Sequence, residues 1–132
     1  MKFLCLICAE KFVEQMPEAD AAAHAAEYRA FTAAIRESGE LVDCNRLLPP
    51  ATAATVRVRG GRISTTDGPF AETTERLGGY YVIDARDLND AIRIAAKIPG
   101  ARLGCVEVRP VADDESPLRA PGLPGVAARP TL

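Results

Sequence analysis

Apolar residues along this chain fall into short runs separated by glycine, proline and polar residues, and the spacing within each run indicates its structure. The run at residues 2–8 is short and contains Phe and Ile, which favours a strand over a helix. The alanine-rich segment after Asp20 predicts a helix that Asp20 caps and Gly39 ends. Four residues, at steps of four, three and four, form one stripe of this helix: His24, Tyr28, Phe31 and Ile35.

A hairpin is the clearest signal in the middle of the chain. Val56 and Val58 alternate with arginines, the pair Gly60-Gly61 follows, and a second alternating run begins at Arg62. Two such runs about a Gly-Gly pair predict a β-hairpin. Further strands are predicted before and after the hairpin, over residues 40–48 and 80–84.

A second helix and a last strand complete the pattern. Asp87 is a good N-cap, Pro99-Gly100 ends the helix, and residues 102–111 predict the final strand. The buried face of this helix is predicted to consist of Leu88, Ala91, Ile92 and Ala95. Without the hairpin the order is βαββαβ, so the predicted class is α+β, a ferredoxin-like fold with an inserted β-hairpin. The domain is predicted to cover residues 1–111, and the proline-rich residues 112–132 to form a tail.

The strands predict a homodimer. Alternate residues of a strand face opposite sides of a sheet, and residues 3–8 and 80–83 are apolar on both sides. Two helices cover only one face, so the other would expose a large apolar patch. A second copy of the chain packed there removes the patch, which predicts a two-fold dimer. The alternative is that the hairpin and the tail cover this face within one chain.

Charge and composition narrow the range of partners. The chain has 132 residues and a net charge of −2, which offers no broad attraction for nucleic acid or an anionic membrane. The apolar run near the N-terminus ends before Glu10 and Lys11, unlike a signal peptide, and no run approaches the ~20 residues that span a bilayer. We therefore expect a cytoplasmic protein with no nucleic-acid or membrane partner, whose four cysteines are reduced thiols.

A rigid turn interrupts the chain where a strand would otherwise continue. Asp67 can bond its own following backbone, and Gly68 relaxes the backbone ahead of Pro69. Three stretches stand out here and beyond: DGPFAET at 67–73, GGYYVID at 78–84 and VEVRP at 106–110. Together they resemble the YCII-related family and, within it, the branch named for its DGPF motif. The resemblance extends over about residues 1–111.

The resemblance implies a dimeric α+β barrel with a cavity between sheet and helices. Many members of the wider family carry a His and Asp pair in that cavity, which implies acid–base chemistry there, whereas the DGPF branch has no settled activity. Two positions depart from the family pattern. Tyr28 stands where much of the wider family has histidine, and Thr74 stands where the motif usually has lysine. The first departure weighs against catalysis by a His–Asp pair at that position.

The candidate site residues each allow two interpretations. His24, the only histidine, lies one helical turn before Tyr28. It would act as a general base if a hydrogen bond to the Asp67 carboxylate fixed the tautomer of its imidazole. These three residues are the catalytic candidates; the alternatives are an ordinary histidine near a helix start and an aspartate that only shapes its turn. The candidates for ligand binding are Phe31, Gly68, Phe70, Tyr80 and Tyr81. For Tyr80 and Tyr81, as for Tyr28, core packing is the alternative.

Cys5 and Cys8 have the spacing of a redox or zinc pair. In a strand, however, residues three apart face opposite sides, and no second pair supplies further ligands. The sequence therefore predicts no metal site and implies no cofactor. Two functions stay open: an enzyme that acts on a small organic substrate by acid–base chemistry, and a non-catalytic ligand-sensing or regulatory module.

Overall fold

A computed structural model describes residues 1–10, 15–71 and 75–113. Its elements follow one another as β1 (Lys2–Glu10), α1 (Glu18–Glu37), β2 (Leu41–Arg46), β3 (Ala54–Arg59), β4 (Arg62–Asp67), β5 (Glu75–Asp84), α2 (Leu88–Ala95) and β6 (Gly104–Pro110). Single turns of 3-10 helix, at Pro50–Thr52 and Pro99–Arg102, precede β3 and β6. This order confirms the predicted βαββαβ arrangement with an inserted hairpin. Of the predicted tail, residues 114–132 lie outside the described residues, so the tail stays a prediction.

Four strands form one antiparallel sheet in the order β2-β5-β1-β6. The central strand β1 alternates: Phe3 and Cys5 are buried beneath the helices, while Leu4 and Leu6 face the other way. Buried side chains from β1, β5, both helices and the segments on either side of α2 form the core on the helix side: Phe3, Cys5, Ile7, Ile35, Tyr81, Ile83, Ala85, Ala91, Ile94, Ala95 and Ile98. The protein therefore has the predicted α+β, ferredoxin-like fold.

The side of the sheet away from the helices is here called the open face. Leu4 pairs with Val82 and Leu6 with Tyr80, so these four side chains lie together on it, and each is partly exposed. Both helices lie on the opposite side, where the core is. Because apolar residues occupy both sides of β1 and β5, the alternation read from the sequence is correct.

Helix α1 begins earlier than predicted. Pro17 occupies the N-cap position and the helix starts at Glu18, so Asp20 lies in the first turn and does not cap. The fixed φ of proline suits the entry to a helix, and an acidic first turn favours the positive end of the helix dipole. At the other end the prediction holds. Gly39 has φ +82°, its N–H donates to Arg36, and the N–H of Glu40 donates to Ile35, which is a Schellman motif.

Helix α2 is capped as predicted, but the face that it buries differs from the predicted one. The Asp87 carboxylate accepts a hydrogen bond from the Asp90 N–H at 2.8 Å. Leu88 and Ile92 are 47% and 49% exposed, whereas Asp90 is buried with the apolar residues Ala91, Ile94 and Ala95. The prediction is therefore wrong for Leu88 and Ile92. Asp90 can be buried because Arg86 and Arg93 donate to its carboxylate at 3.2 and 3.0 Å.

Strands β3 and β4 form a two-stranded hairpin, here called the arm (residues 54–67), separate from the main sheet. Gly60 and Gly61 have φ +57° and +77°, the combination that a tight type I′ hairpin turn requires. The arm does not pack on the open face, because Val56, Val58 and Ile63 remain 55–75% exposed. The hairpin itself is confirmed. Residues 114–132 of the tail, the other part of the alternative to a dimer, lie outside the described residues, so the role of the tail stays a prediction. In the described part of the chain, no helix is long and apolar enough to cross a membrane.

Candidate functional site

An open groove of about 490 Å³ lies beside the first half of α1. The segment before the helix forms one wall, and the end of the Pro99–Arg102 turn with Leu103 forms the other. Four residues of α1 line it, Asp20, Ala23, His24 and Glu27, together with residues from the two walls: Gln15, Met16, Pro17, Arg102 and Leu103. The groove therefore contains one imidazole, two carboxylates and one guanidinium beside apolar side chains.

The imidazole of His24 is held by an aromatic contact. Its ring lies edge-on to the Tyr28 ring, with centroids 5.0 Å apart and planes 88° apart. Asp20 and Glu27 are four residues before and three residues after His24, so all three lie on one side of the helix. Glu27 forms an ion pair with Arg102, which lowers the pKa of this carboxyl, and the charge of His24 acts in the same direction. The groove thus places an ionisable imidazole between two carboxylates.

Tyr28, a predicted catalytic residue, has a structural contact. Its hydroxyl accepts a hydrogen bond from the N–H of Gly100 at 3.0 Å. Burial raises the pKa of Tyr28, so the phenol remains protonated at neutral pH. A Cβ at Gly100 would lie 2.5 Å from this hydroxyl and 2.8 Å from Cγ2 of Ile7, so glycine is required for the close approach. Tyr28 therefore joins α1 to the Pro99–Arg102 turn that carries Arg102 into the groove.

Phe31 and Tyr81 belong to the core. Their rings meet edge to face at 5.2 Å, and the Tyr81 side chain is 4% exposed. The Tyr81 hydroxyl lies 2.6 Å from Oγ1 of Thr32, and burial raises the pKa of Tyr81. These contacts correspond to the core-packing interpretation of Tyr81, and Phe31 packs against the same core. Neither residue lines the His24 groove.

Tyr80 and Tyr81 point to opposite sides of the sheet. The Tyr80 hydroxyl accepts a hydrogen bond from Asn45 at 2.8 Å and donates to the Asp43 carboxylate at 3.3 Å, on the open face. Tyr81 faces the helices. Two neighbours in a strand cannot line one cavity on a single side of the sheet. The structure therefore separates the two tyrosines that were both predicted to bind ligand.

The motif residues lie at the base of the arm. Gly68 has φ +96°; its N–H donates to the Ala53 carbonyl at 2.7 Å and its own carbonyl accepts from Thr55 at 2.9 Å. Asp67 is exposed, and its carboxylate makes no hydrogen bond or ion pair with any described residue, His24 included. Phe70 is 82% exposed, with the guanidinium carbon of Arg57 6.0 Å from its ring centroid. The roles predicted for Asp67, Gly68 and Phe70 stay predictions.

The cysteines divide between the two sides of β1. Cys5 is buried in the core, which raises its thiol pKa to about 11. Cys8 pairs across the strands with Cys105, whose thiol donates to the Glu75 carboxylate at 2.9 Å. This hydrogen bond raises the pKa of Cys105 to about 11. Cys5 and Cys8 thus face opposite sides, as the alternation predicts, while the pairing of Cys8 with Cys105 was not foreseen.

Sequence reasoning missed three residues of the groove. The sequence pattern predicts Asp20 as a helix cap and gives Glu27 no role, although their spacing from His24 places both on its side of the helix. Arg102 gave no sequence signal, because it lies 75 residues from the Glu27 with which it pairs. A search for ionisable residues three and four positions from His24 would have found the two acids.

Comparison with known proteins identifies the family. The profile of the YCII-related domain matches residues 1–114. An uncharacterized protein of Rhizobium meliloti (strain 1021) is 44% identical over 78 residues, which cover 58% of this chain and 63% of that protein. The profile spans both helices and all six strands of the fold described above. By its sequence and its fold, the chain belongs to the YCII-related family.

Proposed function

We propose that this protein binds a small organic molecule in the groove beside His24. The observation that carries the proposal is the composition of this groove, in which an imidazole and a guanidinium lie with two carboxylates beside apolar side chains. Its volume, about 490 Å³, suits a small molecule. Ligand pockets typically combine apolar walls with a few polar groups that fix orientation.

The polar groups indicate the chemistry of the ligand. Glu27 and Arg102 neutralise each other, while the Asp20 carboxylate makes no hydrogen bond or ion pair within the described residues. The imidazole of His24 offers both a hydrogen-bond donor and an acceptor. We therefore expect a compact ligand with a hydrogen-bonding group that meets His24 and Asp20 and an apolar part that meets Leu103. Membership in the DGPF branch, which residues 67–73 support, is part of the same proposal.

A second candidate function is acid–base catalysis in the same groove. The position of His24 between Asp20 and Glu27 favours it, because a carboxylate near an imidazole stabilises the imidazolium that forms when the ring takes a proton. In this version the carboxylates come from α1 itself, and Asp67 is not needed. A non-catalytic sensing module would use the same groove and leave the ligand unchanged.

Thermal-shift screening of a metabolite collection tests ligand binding. Compounds that bind the folded chain raise its melting temperature. Ala23→Arg should abolish this rise by filling the groove, and Ala22→Arg is the matched control because Ala22 is exposed on the same helix but does not line the groove. Compounds that raise the melting temperature of both variants equally would bind outside the groove, which would contradict the proposal.

Incubation of each hit with the protein distinguishes the two functions. Mass spectrometry that detects a converted product, formed by the native chain and lost in His24→Ala, supports catalysis. A hit that binds through the groove and is recovered unchanged supports a sensing module.

A further inference from the structure

Two of the four thiols meet across the strands of the main sheet. Cys8 of β1 and Cys105 of β6 occupy opposite positions in the antiparallel ladder, and their side chains are in hydrogen-bonding contact. Opposite residues in such a ladder have Cα atoms about 4.5–5.5 Å apart. A disulfide joins residues whose Cα atoms lie roughly 4.4–6.8 Å apart. A covalent bond between these two sulfur atoms is therefore compatible with the strands as they stand.

The other two cysteines are far less accessible to this chemistry. Cys5 is fully buried in the core, on the opposite side of β1 from Cys8. Cys44 packs against the same core from β2, which β5 separates from β1. By contrast, Cys8 is partly exposed, and Cys105 is exposed on β6, an edge strand of the sheet. A reagent in solution therefore reaches Cys105 first and finds Cys8 directly behind it.

A carboxylate beside the pair controls its reactivity. The Cys105 thiol donates a hydrogen bond to Oε2 of Glu75 at 2.9 Å, and this bond raises the pKa of Cys105 to about 11. Burial raises the pKa of Cys8, and the charges of Glu107 and Glu75 act in the same direction. Because the thiolate is the reactive form of cysteine, both thiols react slowly at neutral pH and faster as the pH rises. Glu75 therefore slows attack by this pair on an electrophile.

We infer that Cys8 and Cys105 form a thiol-oxidation site, controlled by Glu75, at which a small organic disulfide converts the pair into a reversible cross-strand disulfide. The Cys105 thiol first loses its proton to solvent, and its thiolate attacks one sulfur of the small disulfide, whose S–S bond breaks as one thiolate leaves. The Cys8 thiolate then attacks the Cys105 sulfur of this mixed disulfide and displaces the second small thiolate. Both leaving groups take up a proton, so the two protein thiols are oxidised and the small disulfide is reduced to two thiols.

The new bond joins the edge strand β6 to the central strand β1 within one chain. Exposed disulfides are more easily reduced than buried structural ones, so a bond at this position is reversible. Disulfides of this kind in a reducing compartment are transient and respond to the redox state. Neither cysteine lines the groove beside His24, so the inference goes beyond the proposed ligand binding, and either can fail without the other.

Incubation of the reduced chain with cystamine at about pH 8 tests the site, because this pH increases the thiolate fraction. Thiol titration of the unfolded protein should show that two of its four thiols are lost, and dithiothreitol should restore them. Intact mass should fall by two hydrogen atoms, with no linkage between chains. Cys8→Ser should stop at the mixed disulfide on Cys105, and Cys105→Ser should form no bond within the chain. Cys44→Ala is the control and should lose two thiols like the native chain. Circular dichroism confirms that each variant is folded.

The role of Glu75 has its own variant. Glu75→Gln removes the charge that raises the pKa of Cys105, so it should form the disulfide faster than the native chain at the same pH. Glu37→Gln, at the end of α1 on the other side of the sheet, is the matched control and should react at the native rate. Four results would overturn the inference: all four thiols survive in the native chain, the bond involves Cys5 or Cys44, it joins two chains, or Glu75→Gln reacts no faster than Glu37→Gln.

Discussion

Tyr81 contributes a hydrogen bond as well as a ring to the core. Its hydroxyl lies 2.6 Å from Oγ1 of Thr32 and links β5 to α1. We predict that Tyr81→Phe lowers the free energy of unfolding by about 1 kcal/mol, the usual net value of such a bond. Thr32→Val should cost a similar amount. Denaturant unfolding of the two single variants and the double variant measures the coupling, and fully additive losses would show that the bond contributes nothing.

Gly100 permits the contact between α1 and the turn before β6. A methyl group there would lie 2.5 Å from the Tyr28 hydroxyl, so Gly100→Ala must displace the ring that supports His24. We predict a loss of about 1–3 kcal/mol in the free energy of unfolding, the range for overpacking. Gly78→Ala is the control, because a Cβ there meets no atom within 4 Å. Equal effects at the two glycines would contradict the close-approach argument.

The positions of some site residues could be predicted from the sequence, and those of others could not. The stripe from His24 to Ile35 was correct because helical periodicity is local, and Phe31 and Ile35 do face the core. The surroundings of Phe70 could not be predicted: this ligand-binding candidate is 82% exposed. Its environment depends on where the arm lies relative to the body, which no local pattern specifies.

At the scale of the element, α2 is fixed by an ion network at its first turns. The backbone N–H of Arg86 and the guanidinium groups of Arg86 and Arg93 donate to Asp90. Arg93 also donates to Glu40, which lies between α1 and β2. These hydrogen bonds lower the pKa of Asp90 well below its usual range. Of the two carboxylates in this network, that of Asp90 is buried and that of Glu40 is partly exposed. The charge of Asp90 therefore contributes more to the free energy of unfolding than the charge of Glu40.

The network predicts a dependence of stability on pH. Because the folded-state pKa of Asp90 is lowered, its stabilisation is present above the unfolded pKa of about 3.9 and is lost as pH falls toward the folded value. Asp90→Asn should therefore lower the melting temperature at pH 7 and differ less from the native chain below about pH 3. Glu40→Gln should change little. A melting difference for Asp90→Asn that is the same at both pH values would contradict this role.

The types of the elements were predictable because local sequence features, such as turn glycines and capping residues, mark where each one begins or ends. The Gly60-Gly61 turn and the Asp87 cap are both observed. The face of α2 was not predictable: the apolar residues of this helix fit two faces, and the network around Asp90 selects the one with Ile94 inside. That selection depends on Arg86, Arg93 and the packing of Ile94 together, so it belongs to tertiary structure.

At the scale of the whole molecule, the groove and the open face occupy different surfaces. The groove is built within one chain, whereas the predicted homodimer covers the open face and requires two chains. If two copies associate there, the melting temperature of the native chain should rise with protein concentration, because mass action stabilises the dimer. Leu6→Glu, which places a charge on the open face, should give a monomer whose melting temperature does not depend on concentration. Scanning calorimetry at several concentrations measures both.

The central claim is ligand binding beside His24, and the single histidine of the chain makes it directly measurable. In a nuclear magnetic resonance spectrum of the ¹⁵N-labelled protein, one set of imidazole signals reports on this residue alone. We predict that stabilising compounds shift these signals in a saturable way, and that Ala23→Arg abolishes the shift while Ala22→Arg retains it. Compounds that raise the melting temperature yet leave the His24 signals unmoved at saturation would contradict it.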